Sequence, residues 1–494
     1  MLFSSHEFIF VFLPAALLVF HLSRAVLGGC FSLFAIVSVS LFFYGWWNPP
    51  YLFLLIGSIL ANFAFVRLLE KHPNSTILMG GVAVNLTVLG YFKYWNFFLE
   101  NISFVTGNTW SLGPIFIPLA ISFFSFQQIA LLIEVREVRA KVRDLLSYSV
   151  FVALFPQLIA GPIILYREIN DQFAKIRSGE GVGLAMLGVG LYLFALGLFK
   201  KVALADSIAP YADAAFNMAE RLTFLEAWAG AFAYSLQLYF DFSGYSDMAV
   251  GLGLMLGLTL PINFNIPFRS TSMIEFWKRW HITMTRFFIM YLYSPIALSI
   301  SRWSMGRSFT GITAFVFTVG MPIGITFLLS GLWHGAAWTF VAFGAVNALG
   351  LIVNHAWKEA KCPRLPSLLG WVFTMMVVVI SLVYFRAENL ADAHKMLAIM
   401  ASPQNIVLPS WLAELAVKLD LPWHTLTLFS SGSYTLRMTL WLIILFALSI
   451  LMQNPAKSPK QVAPSWRNAY LTASYLLLSF GLLDRPQAFV YFQF

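Results

Sequence analysis

Two histidines of this chain lie among apolar residues. His334 belongs to LLSGLWHGAAWTF at 328–340, and His281 belongs to FWKRWHIT at 276–283. Ionisable groups inside a membrane are costly, so they are functional candidates by default. An imidazole can take a proton from a hydroxyl and return it to a leaving group, which suits acyl transfer to a hydroxyl. The alternatives without chemistry are a core histidine bonded to a carbonyl at 334 and an interfacial helix around 281.

Polar side chains in other apolar segments form a second set of candidates. Asp241 and Asp247 both belong to YFDFSGYSD at 239–247. Inside a membrane such carboxylates need partners. Basic residues of 278–286 would supply these partners, or the carboxylates would instead orient a histidine. A structural ion pair or a helix cap explains them equally well. Gln157 is a similar case, and its amide would bond between helices.

Several reaction classes lack their usual motifs. The sequence contains no G-x-S-x-G nucleophile elbow, no Walker A loop and no H-E-x-x-H pair. Cys30 and Cys362 give neither a disulfide framework nor a metal-ligand set. Phosphoryl transfer by a P-loop and zinc-dependent hydrolysis therefore lose support.

Composition decides the class of protein that must position these residues. Of 494 residues, 59% are hydrophobic and 11% are charged, against about 25% charged in a typical soluble domain. The sequence therefore predicts a polytopic membrane protein. The net charge of +9 is the excess expected where basic residues flank helices on the cytoplasmic side, and no nucleic-acid partner is predicted.

Stretches of about 20 apolar residues predict the membrane spans. The segment 227–258 is too long for one simple span and contains glycines, which predicts a broken or strongly tilted helix. The segment 147–166 carries Pro156 and the pair Gly161-Pro162, which predicts a re-entrant hairpin beside a funnel. The candidate spans are 8–26, 31–48, 51–68, 76–95, 116–134, 183–203, 227–258, 287–301, 310–330, 335–353, 368–385, 438–453 and 469–483.

Basic loops predict the orientation. We place the clusters at 136–143, 175–177, 278–286, 358–364 and 457–467 in the cytoplasm. With this orientation the segments between 287 and 353 cannot all be spans, so one of them is expected to lie in the plane of the membrane or to re-enter it. The prediction is one membrane domain over 1–494, with a retained first helix and an extracytoplasmic polar insertion at 387–435.

The ordered motifs of the chain resemble the membrane-bound O-acyltransferases, and among them the bacterial alginate O-acetylation branch. The resemblance extends over nearly the whole chain. It rests on MLFSS at 1–5 with FLP at 12–14, FFYGWW at 42–47, ISFFSFQ at 121–127, FPQLIAGPI at 155–163, YFDFSGYSD at 239–247, FWKRWH at 276–281, GLWHGAAWTF at 331–340 and VYFQF at 490–494.

This resemblance implies an all-α polytopic membrane protein, a ring of about 11 transmembrane helices with re-entrant and in-plane helices around a central funnel. The family's catalytic histidine falls on His334, and the second histidine of this branch falls on His281. The residues expected to bind substrate or shape the funnel are Gln157, Asp241, Tyr245, Asp247, Trp277, Arg279, Trp333 and Trp338.

The resemblance also implies substrates and partners. No metal or bound cofactor is expected, and acetyl-CoA is the expected acetyl donor, drawn to the cationic rim at 278–279. A multi-pass protein of the bacterial inner membrane would pass the acetyl group to a periplasmic SGNH-type esterase-like protein. That protein would place the group on a polysaccharide. Membrane lipid and the polysaccharide synthesis machinery are the other expected partners.

One departure concerns the acceptor. Alginate-type members follow the Trp-His motif with an Arg-Asp pair and then a Gly-Gly-Asn-Arg loop. Here residues 286–297 read RFFIMYLYSPIA, without the acid or the glycine loop. Cellulose, peptidoglycan or another exopolysaccharide therefore stands beside alginate as the acceptor.

Three other functions fit the sequence. The first is transfer of a longer acyl chain or direct action on a lipid-linked glycan. The second is a transporter or flippase, and the third is a scaffold for a polysaccharide synthase. The sequence shows no repeated halves of the kind on which many transporters are built.

Overall fold

A computed structural model describes residues 1–111, 113–180, 182–217, 222–307, 309–402, 418, 436–457, 465–483 and 489–490. This part of the chain is helical and contains no β-strand, which confirms the predicted all-α class. The helices are α1 (Glu7–Leu27), α2 (Gly29–Trp47), α3 (Pro49–Lys71), α4 (Ser75–Thr106), α5 (Ile121–Glu137), α6 (Leu145–Ala153), α7 (Phe155–Leu158), α8 (Tyr166–Arg177), α9 (Leu184–Asn217), α10 (Phe224–Met255), α11 (Met273–Arg279), α12 (282–305), α13 (Gly311–His334), α14 (Trp338–Glu359), α15 (Ser367–Arg386), α16 (Leu390–Ala401), α17 (Leu436–Leu451) and α18 (Trp466–Phe480).

Eight helices of the described chain are long and apolar enough to cross a membrane: α1 to α4, α9, and α13 to α15. Their number confirms a multi-pass membrane protein. The predicted ring of about 11 spans around a funnel remains a prediction.

The segment 147–166 is broken, as its prolines predict. The helix α6 ends at Leu154, whose backbone leaves the helical region at φ −50° and ψ 106°, and α7 adds only one further turn. The amphipathic helix α8 follows, with Ile169, Phe173 and Ile176 buried on one face. An ion pair of 2.7 Å between Arg177 and Asp144 joins the end of α8 to the start of α6.

The long helix α10 is continuous over its 32 residues, so the predicted break is wrong and the alternative, a strong tilt, stays a prediction. Its glycines provide close packing instead. A Cβ placed on Gly251 would lie 2.7 Å from the backbone nitrogen of Phe194 in α9. A Cβ placed on Gly197 of α9, which lies against Gly244 of α10, would lie 2.7 Å from the backbone nitrogen of Met248 in α10. Small residues at this spacing let two backbones approach within a membrane.

The sequence predicts that one of the apolar segments between 287 and 353 does not span the membrane. Within this region α13 and α14 are among the eight candidate spans, and α12 is not. That one of these segments lies in the plane of the membrane or re-enters it stays a prediction.

The predicted polar insertion at 387–435 begins as a packed helix. The first residues form α16, which buries Ala393, Met396 and Met400 against Ala231 of α10 and Val383 of α15. Of the remainder, 403–417 and 419–435 lie outside the described residues, as do 491–494 of the terminal motif.

The chain forms two compact units, each assembled from separate segments. The first comprises Met1–Phe199 and Ser243–Asn263 with the described part of 455–493; the second comprises Lys200–Phe242 and Phe264–Asn454. Both candidate histidines belong to the second unit, whose packing therefore sets their geometry.

Candidate active site

His334 is the last residue of α13 and lies in an aromatic enclosure. Only 8% of its surface is exposed. Ring centroids lie 4.9 Å away for Trp333, 5.6 Å for Phe343 of α14 and 5.1 Å for Phe385 of α15. All three contacts are edge-to-face. Three helix segments therefore fix the plane of this imidazole.

Glycines explain how α13 and α14 come close enough to build this enclosure. A Cβ on Gly331 would overlap the carbonyl oxygen of Phe340, and a Cβ on Gly344 would overlap that of Phe327. Gly335, directly after His334, lies against the ring of Phe340. The close approach predicted for the glycines of this motif is thus confirmed.

His281 is buried between α11 and α12 with 1% of its surface exposed. Its φ of 42° is left-handed, a conformation that costs a non-glycine residue about 1–3 kcal/mol and that clusters at functional sites. The segment before it is fixed at two points: the Asn354 side chain accepts from the N–H of Ile274 in α11 (3.2 Å), and the Trp371 indole N–H donates to the Phe268 carbonyl (2.8 Å).

Burial sets the charge of this second histidine. His281 lies outside the eight candidate spans, and desolvation by burial lowers the pKa of its imidazole to about 3. The ring is therefore neutral at physiological pH.

Trp333 brings the two histidines into one site. Its ring centroid lies 4.9 Å from that of His334 and 6.3 Å from that of His281. Phe242 of α10 packs against the other side of His281 at 4.7 Å. We call His281, Trp333 and His334 the histidine region, and its wall is aromatic.

Asp241 has a partner that the sequence did not predict. Its carboxylate lies 2.6 Å from the ammonium of Lys201, which also lies 2.7 Å from the carboxylate of Asp206. Both Lys201 and Asp241 have only 1% of their side chains exposed. We call these three residues the lysine cluster; it provides the structural ion pair that was the alternative to a pairing with 278–286.

Lys201 is not among the site residues predicted from the sequence. The predicted span 183–203 places it near the end of a helix, where a lysine is ordinary. In the structure α9 continues to Asn217, and Lys201 lies within a π-helical segment, Lys200–Ala205. A π-helical segment is often found at a functional site, and a lysine in mid-helix with an acid five residues later is the signal that would have identified this pair.

Three other predicted site residues of the second unit occupy different surroundings. Trp277 is 4% exposed, and its ring meets that of Phe327 of α13 at 5.0 Å. Arg279 forms an ion pair of 2.8 Å with Glu275, so its charge is engaged by the protein itself. Trp338, at the start of α14, is 54% exposed.

The remaining predicted residues, Gln157, Tyr245 and Asp247, belong to the first unit. The Gln157 amide donates to the carbonyl of Phe151 at 2.7 Å, which closes the end of α6. Tyr245 stacks on Phe3 with centroids 4.7 Å apart, and Asp247 is buried with 3% exposed.

Metal ligation is a separate question. No group of three or more His, Cys, Asp or Glu side chains within the described ranges is arranged to hold a metal ion. The chemistry that the histidine region itself offers is proton transfer at an imidazole held by aromatic side chains.

Comparison with known proteins identifies the class. The model of the membrane-bound O-acyltransferase family matches residues 117–391, which contain the whole histidine region. A peptidoglycan O-acetyltransferase of Helicobacter pylori is 34% identical over 100% of this chain and 98% of its own length.

Two further relatives match shorter parts of the chain. A probable alginate O-acetylase of Azotobacter vinelandii is 38% identical over 81% of this chain and 78% of its own length. A teichoic acid D-alanyltransferase of Streptococcus thermophilus is 28% identical over 49% of this chain and 58% of its own length. The family match covers more than half of the sequence, and the Helicobacter protein aligns with all of it. The chain therefore belongs to the membrane-bound O-acyltransferase family and is an acyltransferase.

Proposed function

We propose that this protein is an inner-membrane O-acetyltransferase that moves an acetyl group from cytoplasmic acetyl-CoA towards an extracytoplasmic polysaccharide. The observation that carries the proposal is the enclosed imidazole of His334 within the family-matched residues. Relatives named as O-acetyltransferases of peptidoglycan and alginate support the acetyl group and the polysaccharide.

In the proposed reaction His334 acts as the base. Its neutral imidazole takes the proton of an acceptor hydroxyl while the hydroxyl oxygen forms a bond to the acetyl carbonyl carbon. The carbon–sulfur bond of the thioester then breaks, and the imidazolium returns the proton to the leaving thiolate. Such a positioned base contributes about 10²- to 10⁴-fold to the rate. His281, through Trp333, would hold the base in place.

The immediate acceptor in this proposal is a hydroxyl of a periplasmic SGNH-type partner, which then acetylates the polysaccharide. Peptidoglycan is the first acceptor to test, because the peptidoglycan-modifying relative aligns with the entire chain and the alginate relatives with 81% of it. The missing Arg-Asp pair after the Trp-His motif is a second reason.

Oriented membrane vesicles test the donor and the direction together. Radiolabelled acetyl-CoA, which does not cross membranes, is supplied on the cytoplasmic face, with isolated peptidoglycan, cellulose or alginate and the partner on the opposite face. The proposal predicts label on the glycan of the opposite face only. Label confined to the donor side would contradict the direction, and preference for a long-chain acyl-CoA would favour the longer-chain alternative. The absence of any covalent transfer would favour the transporter and scaffold alternatives.

A further inference from the structure

The indole N–H of Trp277 is a buried hydrogen-bond donor without an acceptor. Trp277 is 4% exposed, and no group among the described residues accepts from its Nε1. A buried tryptophan N–H usually finds a partner. Leaving such a group unsatisfied costs about 1–3 kcal/mol, so a structure that retains one needs a reason.

Other tryptophans of the same unit show that the fold can satisfy this group. Trp228, Trp357 and Trp371 donate to the backbone carbonyls of Met400, Pro363 and Phe268 at 2.9, 2.9 and 2.8 Å. All three are more exposed than Trp277. Trp277 is more buried than these three, yet no described group accepts from its N–H.

A ring contact connects Trp277 to the helix that carries the proposed base. Trp277 lies on α11, four residues before His281, and its ring packs edge-to-face on Phe327 of α13. Phe327 precedes His334 by seven residues, which is about 10 Å along a helix. The ring contact therefore lies two turns away from the base, on the same helix.

The chemistry of the group limits what it can bind. An indole N–H is a neutral donor and cannot accept, so its partner must be an acceptor such as a carbonyl oxygen. A phosphate would be better served by a cation, and the nearby cation Arg279 is already paired with Glu275. The thioester donor of the proposed reaction carries such carbonyls in its acetyl group and in the amides of its arm.

We propose that Trp277 is a substrate-binding residue whose indole N–H donates to a carbonyl oxygen of the thioester donor. The two-turn separation from His334 favours an amide oxygen of the arm over the acetyl oxygen. This inference rests on the proposed acetyl-CoA-dependent function. It gives Trp277 a role in holding the donor while His334 performs the proton transfer.

Trp277→Phe tests the inference, with Trp228→Phe as the matched control. Both substitutions remove the same volume and one N–H, but only Trp228 loses a bond to the protein, the one that it donates to the Met400 carbonyl. Trp277→Phe should raise the KM for acetyl-CoA about 2- to 10-fold with little change in kcat, as expected for one lost hydrogen bond. Trp228→Phe should leave KM unchanged and lower the unfolding temperature more than Trp277→Phe does.

Three donors locate the acceptor oxygen. Acetyl-CoA and S-acetyl-N-acetylcysteamine contain amides, and S-butyl thioacetate contains only the acetyl carbonyl. If Trp277→Phe raises the KM only for the two amide-containing donors, the acceptor is an amide oxygen of the arm. If the KM rises equally for all three, the acceptor is a donor carbonyl but belongs to the acetyl group. An active wild type with unchanged KM in Trp277→Phe would overturn the inference. A folded wild type that transfers acetyl from none of the donors would instead overturn the proposed function.

Protein that carries ¹⁵N-labelled indole keeps the inference testable if Trp277→Phe does not fold. The Trp277 N–H resonance of the wild type should move when acetyl-CoA is added, whereas the resonance of Trp228, which is bonded within the protein, should not. An unmoved Trp277 resonance at saturating acetyl-CoA would contradict the inference.

Discussion

The histidine region and the lysine cluster belong to the same compact unit, and both are buried, but aromatic rings line the first and charged groups form the second. Lys201 is held between two carboxylates at 2.6 and 2.7 Å. His334 is held by the edges and faces of three aromatic rings. In a buried ion pair each charge is committed to its partner, and removing one partner is costly. An imidazole packed against rings keeps its capacity to exchange a proton.

The two regions are also neighbours along the chain. Asp241 pairs with Lys201, and the next residue, Phe242, packs on His281 with centroids 4.7 Å apart. The lysine cluster thus fixes the part of α10 that supports the histidine region. A buried ionisable residue can therefore be assigned to catalysis only once its partner is known. Substitutions in the two regions should accordingly affect different observables.

The largest expected effect on stability follows from Lys201→Met. Removing the ammonium leaves two carboxylates buried without their cation, which should cost about 3–5 kcal/mol. Denaturant unfolding of the detergent-purified protein measures it. Lys358→Met, on the exposed surface of α14, is the control and should change little.

A second variant separates charge from packing in the lysine cluster. Adding Asp241→Asn to Lys201→Met should restore part of the lost stability, since one of the uncompensated charges disappears. A single Lys201→Met variant as stable as the wild type would contradict the structural role of this cluster.

Gly331→Ala should have the next largest effect. The added Cβ would overlap the Phe340 carbonyl, and overpacking of this kind costs about 1–3 kcal/mol. Because His334 follows three residues later on α13, acetyl transfer should fall as well. Gly324→Ala, on the same helix with nothing within 4 Å of its added Cβ, should retain both stability and activity. Equal behaviour of the two variants would exclude close packing as the reason for Gly331.

Arg279→Gln should have a small effect. Arg279 is 29% exposed in its side chain and is paired with Glu275, and such pairs contribute about 0.2–1 kcal/mol. The KM for acetyl-CoA should stay at the wild-type value, because the guanidinium is engaged by the protein. A clear rise in KM without loss of stability would instead assign Arg279 to donor binding, as its cationic position in the sequence predicts.

The smallest effect concerns the pH dependence of His281. Burial lowers its pKa to about 3, so the ring stays neutral in the folded protein through the range in which an ordinary histidine titrates. His281→Asn should therefore lower the pH–rate curve without moving its inflections between about pH 5 and 8. A displaced inflection would show that His281 titrates during turnover.

The sign of the stability effect can be measured separately. An unfolded histidine titrates near pH 6.5, above the lowered folded pKa of His281. The contribution of the neutral ring is therefore complete above that pH and is lost as the pH falls towards the folded pKa. The wild type should thus lose more stability than His281→Asn on acidification from about pH 7 to 5.

The sequence predicts those features that depend on local composition. Apolar length predicts the spanning helices, Pro156 predicts the broken segment after α6, and the glycines around His334 predict close packing. These follow from hydropathy, from the missing N–H of proline and from the missing side chain of glycine, all of which act within a few residues.

The pairings across the chain were not predictable in the same way. Asp241 finds Lys201, forty residues earlier. The glycines of α10 predict a broken or strongly tilted helix, because the sequence does not show which helix packs against them. A single sequence does not record which segments meet, so the partner of a buried charge and the purpose of a helix glycine both depend on tertiary contacts.

The central claim is that His334 is the proton-transferring group of an acetyltransferase. The most direct measurement is transfer of radiolabelled acetyl from acetyl-CoA, in matched membranes, by the wild type and by His334→Ala at equal amounts of folded protein. We expect the variant to lose transfer by about 10²- to 10⁴-fold with thermal unfolding close to that of the wild type. Equal labelling by the two proteins would contradict the claim and make His334 a structural residue.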